Sequence, residues 1–161
     1  MKTTKEHHSL LAVLEAAART YQGAWSAFSH GKHHGMAAFA AYEATERMEM
    51  AEQVAQHMAE HEEHVVYGAL AAPACDYKTP ADALLALCAA DAGIVAVAET
   101  VYDAGLASGE RPYFLQRMRD DLDYQLTEVK GVKDMLARAG SPAEVEALNK
   151  KLLRKYTAKH A

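Results

Sequence analysis

The stretch GALAAPACDYKT, residues 68–79, decides the fold of this chain because it connects two long helical segments. Gly68 and Pro73 interrupt the helical pattern that precedes them, and Thr79 is followed by Pro80, which is typical of a helix start. Fully extended, this stretch spans roughly 40 Å, close to the length of the flanking helices at about 1.5 Å per residue. It is therefore long enough to cross from one end of a helical bundle to the other.

Apolar residues recur at helical spacing on both sides of this connection, and they predict a single domain that covers residues 1–161. Thr3 or Thr4 is a candidate cap for the first helix, and the segment from Gly109 to Pro112 separates the third helix from the fourth. The predicted helices cover residues of about 4–29, 36–67, 80–107, 113–139 and 142–158.

The lengths of the connections limit the topology. The loops between the first and second helices and between the third and fourth are short, so each pair is predicted to be antiparallel. The longer connection between the second and third helices fits a bundle with a long crossover, and an up-down-up-down bundle fits it as well. The predicted fold class is all-α, a four-helix bundle with a short fifth helix at the C-terminus.

The composition argues against several classes of function. The chain has 161 residues and a formal net charge of −5, without the concentrated basic patch of a nucleic-acid-binding protein. The apolar run from Leu10 to Leu14 is too short for a signal sequence or a membrane span. Cys75 and Cys88 are far apart in the sequence and suit free thiols in a reducing compartment. We therefore expect a cytoplasmic protein with neither nucleic acid nor membrane as partner.

Four stretches of the sequence carry a resemblance to a known family. They are DYKTPADALL at 76–85, FLQRM at 114–118, DMLARAG at 134–140, and GMAAF at 35–39 ahead of ERME at 46–49. In these stretches the chain resembles the bacterial non-haem ferritins. The resemblance implies a ferritin-like bundle, self-assembly into a symmetric homo-oligomeric cage, and iron storage. If the chain is an enzyme, the resemblance implies a ferroxidase that oxidises Fe(II) with dioxygen or peroxide.

The second predicted helix departs from the family at its most specific motif. A di-iron centre inside a bundle needs inward carboxylates, usually with a Glu-x-x-His pair on one helix face. The family's glutamate and histidine fall on Arg47 and Met50. A shift of one residue would instead present Glu46 and Glu49, although the apolar phase of the helix argues against it. Glu46 and Glu49 are thus either metal ligands or part of a solvated face.

At the family's other ligand positions, this chain has carboxylates at some and different residue types at the rest. By the resemblance, Glu15 lies at or beside the first glutamate of the family, and Asp91 occupies the carboxylate position of the third helix. In the fourth helix Leu122 and Gln125 take the ligand positions, and Asp121 takes that of a neighbouring acid that often holds a third iron. The resemblance therefore implies iron as the bound metal and an incomplete di-iron centre.

Histidines near the end of the second helix form another candidate metal site. His57, Glu60, His61 and His64 recur at helical spacing on one strip, and imidazoles suit Zn, Cu, Ni or Fe. The alternative is a polar helix end whose histidines face water. Met48 lies one place after the ligand position of the second helix, but methionine serves more often in core packing, so haem is not expected.

Three hypotheses about function follow. The first is a ferritin-like iron-storage cage with an atypical or degenerate ferroxidase centre. The second is a structural or co-assembling ferritin-like protein without redox activity, which an inward-facing Arg47 would favour because its fixed charge repels a cation. The third is a module that binds another metal through His57 and His61.

Overall fold

The computed structural model describes residues 4–109 and 113–159, and this part of the chain forms five helices. They are α1 Thr4–His30, α2 His34–Glu60, α3 Pro80–Ser108, α4 Tyr113–Arg138 and α5 Pro142–Lys159. The all-α class and the C-terminal fifth helix are confirmed. Thr3, a predicted cap, and residues 110–112 of the predicted break lie outside the described residues.

Two buried apolar clusters fill opposite ends of the bundle. One cluster joins the second half of α1, the first half of α2, the first part of α3, the second half of α4 and helix α5; it includes Tyr21, Phe39, Leu87, Val129 and Tyr156. The other cluster joins the opposite halves of α1 to α4 and includes Leu14, Val54, Ile94, Val101 and Met118. Helices α1 and α4 therefore run in one direction, and α2 and α3 run in the other.

The segment between α2 and α3 crosses the length of the bundle along α1. Near the start of α1, the Val66 backbone N–H donates to Nε2 of His8 over 3.1 Å. Further along α1, a Cβ placed on Gly23 would lie 2.1 Å from the backbone oxygen of Ala74. This path is that of a long crossover, so of the two topologies that fit the sequence the up-down-up-down bundle is ruled out.

Helix α2 ends at Glu60, whereas the apolar pattern predicts a helix to about residue 67. The Glu63 backbone N–H donates to the carbonyl of Met58 over 3.0 Å, and Glu62 adopts the left-handed conformation with φ of 59°. This turn resembles the left-handed caps that end many helices. The predicted helix was wrong over residues 61–67, because Glu62 is a non-glycine residue that gives no sequence signal for such a turn.

Helix α3 begins with the capping arrangement that its sequence predicts. The Thr79 hydroxyl accepts from the Asp82 backbone N–H over 3.1 Å, and the Asp82 carboxylate accepts from the Thr79 backbone N–H over 3.1 Å. By length and composition alone, α3 is apolar enough to cross a membrane, with a mean hydropathy of 1.9. Core helices pass the same test; Leu87 and Ile94 of α3 are fully buried, and 33% of the apolar stretch as a whole lies inside the described part of the bundle.

Helix α5 packs against the beginning of α2. A Cβ on Gly35 would lie 1.9 Å from the backbone oxygen of Asn149, so only glycine permits this approach. The Met36 backbone N–H donates to Oδ1 of Asn149 over 3.2 Å. Tyr156 packs edge-on against Phe39 with ring centroids 5.3 Å apart. These contacts pack α5 against the first half of α2.

Candidate functional site

A buried polar layer separates the two apolar clusters, and Arg47 of α2 lies at its centre. Arg47 is 0% exposed and is one of the largest fully buried side chains among the described residues. Its Nε donates to Oδ1 of Asp91 over 3.1 Å, and its Nη2 donates to Oδ2 of the same carboxylate over 2.6 Å. The guanidinium thus binds Asp91 of α3 in the bidentate geometry that arginine and carboxylate favour.

Tyr21 and Glu43 complete the surroundings of the guanidinium. The Tyr21 hydroxyl donates to Oδ2 of Asp91 over 2.8 Å and accepts from Nη2 of Arg47 over 3.1 Å. The Arg47 Cζ atom lies 4.4 Å from the centroid of the Tyr21 ring, which adds a cation–π contact. Nη1 of Arg47 forms an ion pair with the Glu43 carboxylate and donates to the Glu43 carbonyl over 3.2 Å. Three helices therefore contribute side chains to one network.

The charges in this layer follow from burial and from the neighbouring groups. Burial alone would lower the pKa of Arg47, but Tyr21, Asp91 and Glu43 outweigh it and raise that pKa, so the guanidinium is always charged. Burial raises the pKa of Glu43 more than the attraction of Arg47 lowers it. Burial also raises the pKa of Tyr21 well above 10, so its hydroxyl keeps its proton as a donor. The layer holds a permanent cation at its centre.

The orientation of α2 determines which of its predicted ligand positions faces the centre. Arg47 and Met50 are buried, Glu46 is half-buried, and Glu49 is exposed. The register predicted from the apolar phase is therefore the one observed, and the shifted register is not. Glu46 and Glu49 lie on the flank of α2 that faces α4.

Glu15 and Asp91 are the two predicted carboxylates that lie inside the bundle. Asp91 is 2% exposed and is bound to Arg47 and Tyr21, as described above. Glu15 is 8% exposed on the same helix as Tyr21, and its burial raises the pKa of its carboxyl group. Both side chains are inward-facing, as the resemblance implies, but Asp91 binds an arginine in this structure.

An open cleft separates α2 from α4 and contains most of the other predicted site residues. Its first part is a cavity of about 200 Å³, whose lining includes Glu43, Glu46, Glu49, Asp121 and Gln125. Its second part is a cavity of about 310 Å³, whose lining includes His57, Glu60, Phe114 and Arg117. Gln53 and Asp121 line both parts, so the cleft is continuous along α2. Four predicted ligands, Glu46, Glu49, Asp121 and Gln125, are therefore brought to one cavity.

Gln125 and Lys159 also line this cavity. Gln125 is 7% exposed, and its buried Oε1 has no hydrogen-bond partner within the described residues. Lys159, near the end of α5, lines the cavity, and its ammonium lies 4.5 Å from the Tyr42 ring centroid and 5.1 Å from that of Tyr156. Burial and the nearby Glu46 raise the pKa of Tyr42 to about 12. The cavity thus combines carboxylates, aromatic faces and an amine of the chain itself.

The predicted histidine strip is only partly formed. His57 is half-buried and stacks on Phe114 with centroids 4.5 Å apart, while the exposed His61 lies beside it at 4.5 Å. His7 of α1 stacks on His57 with ring centroids 5.5 Å apart. His64 lies beyond the end of α2, so the strip does not continue to it.

Within residues 4–109 and 113–159, no three His, Cys, Asp or Glu side chains come close enough together to hold a metal ion.

The site predicted from the sequence lacks two residues that the structure places at its centre, Tyr21 and Glu43. A signal for Glu43 was available, because Glu43 and Arg47 are four residues apart on a helix with the acid first, a favourable ion-pair spacing. For Tyr21 only its place in the apolar stripe of α1 was visible.

Comparison with known proteins finds this architecture among ferritins. The crystal structure of apo-ferritin from Pseudo-nitzschia multiseries superposes with a TM-score of 0.87 at 14% sequence identity, covering 92% of this chain and 96% of that chain. A PmFTN variant soaked in iron for 3 h gives a TM-score of 0.87 at 14% identity, covering 92% of this chain and 98% of that one. No protein-family model and no curated protein matches the sequence. The fold is ferritin-like.

Proposed function

We propose that this chain is a ferritin-like, iron-binding subunit that assembles with copies of itself in the cytoplasm and has a degenerate ferroxidase centre. The ferritin-like fold and the resemblance of the sequence support iron as the cargo. The observation that carries the proposal of a degenerate centre is the Arg47 guanidinium, which occupies the middle of the bundle with Asp91, Glu43 and Tyr21 bound around it.

A permanent cation at this position opposes the binding of a second one. Unit charges about 4 Å apart interact by about 4 kcal/mol at an effective dielectric constant of about 20, and a divalent ion doubles the repulsion. Asp91 and Glu43 compensate the charge of Arg47, so a metal ion would have to compete with the guanidinium for both carboxylates. We therefore expect the polar layer to hold the helices together and not to oxidise iron.

We infer that iron binds the carboxylates of the cleft between α2 and α4 singly or in pairs, because within the described residues no three of them lie close enough together to share one ion. Glu46, Glu49 and Asp121 line this cavity and reach solvent, and none of them contacts Arg47 in an ion pair. Carboxylates hold iron in the di-iron carboxylate proteins that share the ferritin-like fold. Under this proposal iron is held at the cleft without the paired ligands of a di-iron centre.

Iron uptake by the purified chain tests the proposal. We expect light scattering to give a mass many times that of the 17.5 kDa chain, with iron retained after Fe(II) addition in air but oxidised no faster than in buffer alone. The triple variant Glu46→Gln/Glu49→Gln/Asp121→Asn should retain less iron than the variant Glu52→Gln, whose side chain is exposed elsewhere on α2. A monomer that retains no iron contradicts the proposal.

The degenerate centre has its own test. The double variant Arg47→Glu/Met50→His replaces the cation with a carboxylate and restores the Glu-x-x-His spacing that a di-iron site uses. We expect this variant to oxidise Fe(II) faster than the original chain, followed by stopped-flow absorbance. Glu52→His, which adds a histidine on the exposed face of α2, is the control and should give no gain. Equal rates for the original chain and the double variant contradict the role given to Arg47.

The inward Arg47 also favours a second candidate, a subunit that co-assembles with an active ferritin. In that case this chain contributes to the assembled particle, and the partner subunit oxidises Fe(II). Mixing the unfolded chain with an active ferritin subunit and refolding them together tests this idea by native mass spectrometry. Mixed particles that take up iron faster than the homo-oligomer support it, and separate homo-oligomers contradict it.

A further inference from the structure

His8, near the start of α1, is bonded to backbone groups through both nitrogens of its ring. Its Nδ1 lies 2.9 Å from the carbonyl oxygen of Thr4, one turn earlier in the same helix. Its Nε2 lies 3.1 Å from the backbone nitrogen of Val66, at the start of the crossover between α2 and α3. This side chain therefore joins α1 to a segment 58 residues further along the chain.

The two partners determine the protonation state of the ring. A carbonyl oxygen only accepts hydrogen bonds, so Nδ1 of His8 carries a proton and donates it to Thr4. A backbone N–H only donates, so Nε2 carries no proton and accepts from Val66. Both bonds exist together only in the neutral imidazole with its proton on Nδ1. Protonation of Nε2 would place two N–H groups against each other and break the bond to Val66.

This requirement makes the contact depend on pH. Histidine is the side chain that changes its charge between about pH 5 and pH 8. The bond to Val66 is therefore present at the alkaline end of this range, where the ring is neutral, and is lost as the pH falls. We propose that His8 is a pH-sensitive switch that releases the start of the crossover from α1 when its ring is protonated. This switch is independent of iron binding, because it involves none of the carboxylates of the cleft.

Charged groups near His8 act on its protonation in opposite directions. Glu63, just after α2, is hydrogen-bonded to Thr4, and its carboxylate interacts with the charge of His8. It gives the protonated ring a partner of opposite charge. Lys5, three residues before His8 on α1, opposes the same charge. Glu63 therefore stabilises the released form, and the pH at which the contact opens depends on this acid.

Release of the crossover affects the apolar end of the bundle beside it. Val65 packs against the buried cluster that includes Leu11 and Met58. The described residues 66–72, which follow Val65, are all exposed and form neither helix nor strand. The bond to His8 is therefore a main link between this segment and α1. We expect protonation to loosen the packing of Val65 and to expose part of the cluster.

Amide hydrogen exchange of the full-length chain at pH 7.5 and pH 5.5, resolved to single residues by mass spectrometry, tests the proposal. The rates are corrected for the intrinsic effect of pH on amide exchange. We expect the protection of the Val66 N–H to fall roughly two- to tenfold at pH 5.5, as for the loss of one hydrogen bond. The N–H of Ile94, in the fully buried part of α3, should lose less protection.

Two substitutions of His8 separate its acceptor from its charge. His8→Gln keeps an oxygen acceptor and is uncharged at both pH values. It should protect Val66 at pH 7.5 nearly as the original chain does and should show no loss at pH 5.5. His8→Phe keeps a ring without an acceptor, so it should give low protection at both pH values. His64→Gln removes an exposed imidazole from the same segment and should keep the pH dependence of the original chain.

Glu63→Gln tests the partner of the protonated ring. Without this carboxylate the charged form of His8 is less stable, so the loss of Val66 protection should move to lower pH. Exchange measured at half-unit steps from pH 7.5 to pH 5 locates the midpoint. Glu52→Gln, which removes a charge from the exposed face of α2, is the control and should leave the midpoint unchanged.

Three results would overturn the proposal. The first is equal protection of Val66 at pH 7.5 and pH 5.5 in the original chain. The second is an equal loss in His8→Gln, which would assign the pH effect to the exposed His64 or to His7, which is fully buried beside His57. The third is protection in His8→Phe at pH 7.5 as high as that of the original chain, which would mean that Val66 does not depend on the imidazole acceptor.

Discussion

At the scale of single residues, Arg47 determines what the middle of the bundle can do. Two buried carboxylates share its charge, so truncation of the arginine leaves both without their counterion. We expect Arg47→Met to lower the free energy of unfolding by about 3–5 kcal/mol, because breaking a buried pair strands the remaining charges. Urea denaturation at pH 7 measures this loss.

The matched control for Arg47→Met is Lys150→Ala. Lys150 pairs with Glu146 over 3.6 Å, and both side chains are well exposed to solvent. Exposed pairs of this kind contribute only about 0–1 kcal/mol. If Arg47→Met destabilised the chain no more than Lys150→Ala does, the polar layer would not have the structural role described for it.

Glu15 makes stability depend on pH. Burial raises the pKa of its carboxyl above the usual value of 4.5, so the folded state holds the proton more tightly than the unfolded state. Its contribution is therefore fully favourable below pH 4.5 and is lost as the pH rises through the folded-state pKa. We expect Glu15→Gln to gain stability relative to the original chain at pH 7, and this gain to disappear near pH 4.

Thermal unfolding of both chains across that pH range, with a chelator present, measures the effect of Glu15. The exposed substitution Glu52→Gln serves as the control and should show a much smaller dependence of the difference on pH. A difference between Glu15→Gln and the original chain that stays constant from pH 4 to pH 7 would mean that Glu15 does not titrate in the folded state as its burial implies.

The inward position of Arg47 could be predicted from the sequence, but its partners could not. The apolar positions of α2 fix the face that the helix turns to the core, and Arg47 lies on that face. Asp91 belongs to α3, and its contact with Arg47 depends on how the two helices are rotated and displaced relative to each other. That arrangement results from packing of the whole bundle, which a single sequence pattern does not specify.

At the scale of secondary-structure elements, the start of α3 depends on the cap formed by Thr79. Its hydroxyl accepts a hydrogen bond from the Asp82 backbone, which is otherwise one of the unsatisfied donors of a helix start. We expect Thr79→Ala to lower the free energy of unfolding by about 1 kcal/mol, a typical cost for the loss of an N-cap. Chemical denaturation followed by circular dichroism measures the change.

Thr100→Ala provides the comparison for Thr79→Ala within the same helix. Thr100 is exposed in the middle of α3, and its hydroxyl donates to the Ala96 carbonyl over 3.1 Å. Since alanine has the higher helix propensity, this substitution should be neutral or slightly stabilising. Equal destabilisation by the two substitutions would show that the loss reflects removal of a threonine and not removal of the cap.

The helices were predictable where local chemistry marks their ends. The proline and acidic residues that open α3 and α5 place their starts at Pro80 and Pro142, as predicted. The end of α2 was mispredicted because the turn at Glu62 uses neither glycine nor proline, while Val65 continues the apolar spacing. The left-handed Glu62 lies instead within a turn closed by backbone hydrogen bonds from Glu62 to Ala59 and from Glu63 to Met58.

At the scale of the whole molecule, the two apolar clusters and the layer between them determine the arrangement of the helices. The first halves of α2 and α3 belong to one cluster and their second halves to the other, so these two helices run in the same direction. Only a connection that travels the length of the bundle joins them in this way. The length of this connection could be predicted from the sequence but its path could not, because residues 61–79 have little periodicity to indicate the helix that they follow.

The crossover depends on its close approach to α1 at Gly23, and this leads to the last prediction. A Cβ at Gly23 would lie 2.1 Å from the Ala74 backbone oxygen and 3.1 Å from the Pro73 side chain. Because the nearest atom belongs to the backbone, no change of rotamer relieves the clash, and the crossover must move. We expect Gly23→Ala to cost about 1–3 kcal/mol, as overpacking usually does. Amide hydrogen exchange should show lower protection at the Val66 N–H.

Gly93→Ala distinguishes displacement of the crossover from a general effect of replacing a helical glycine. A Cβ at Gly93, within α3, meets no atom within 4 Å. Alanine there should stabilise the chain by about 0.5–1 kcal/mol, since glycine loses more conformational freedom on folding. If Gly23→Ala also stabilised the chain and left the exchange of Val66 unchanged, the crossover would not be held against α1. The connection between the two halves of the bundle would then be looser than the contacts of Val66 and Ala74 indicate.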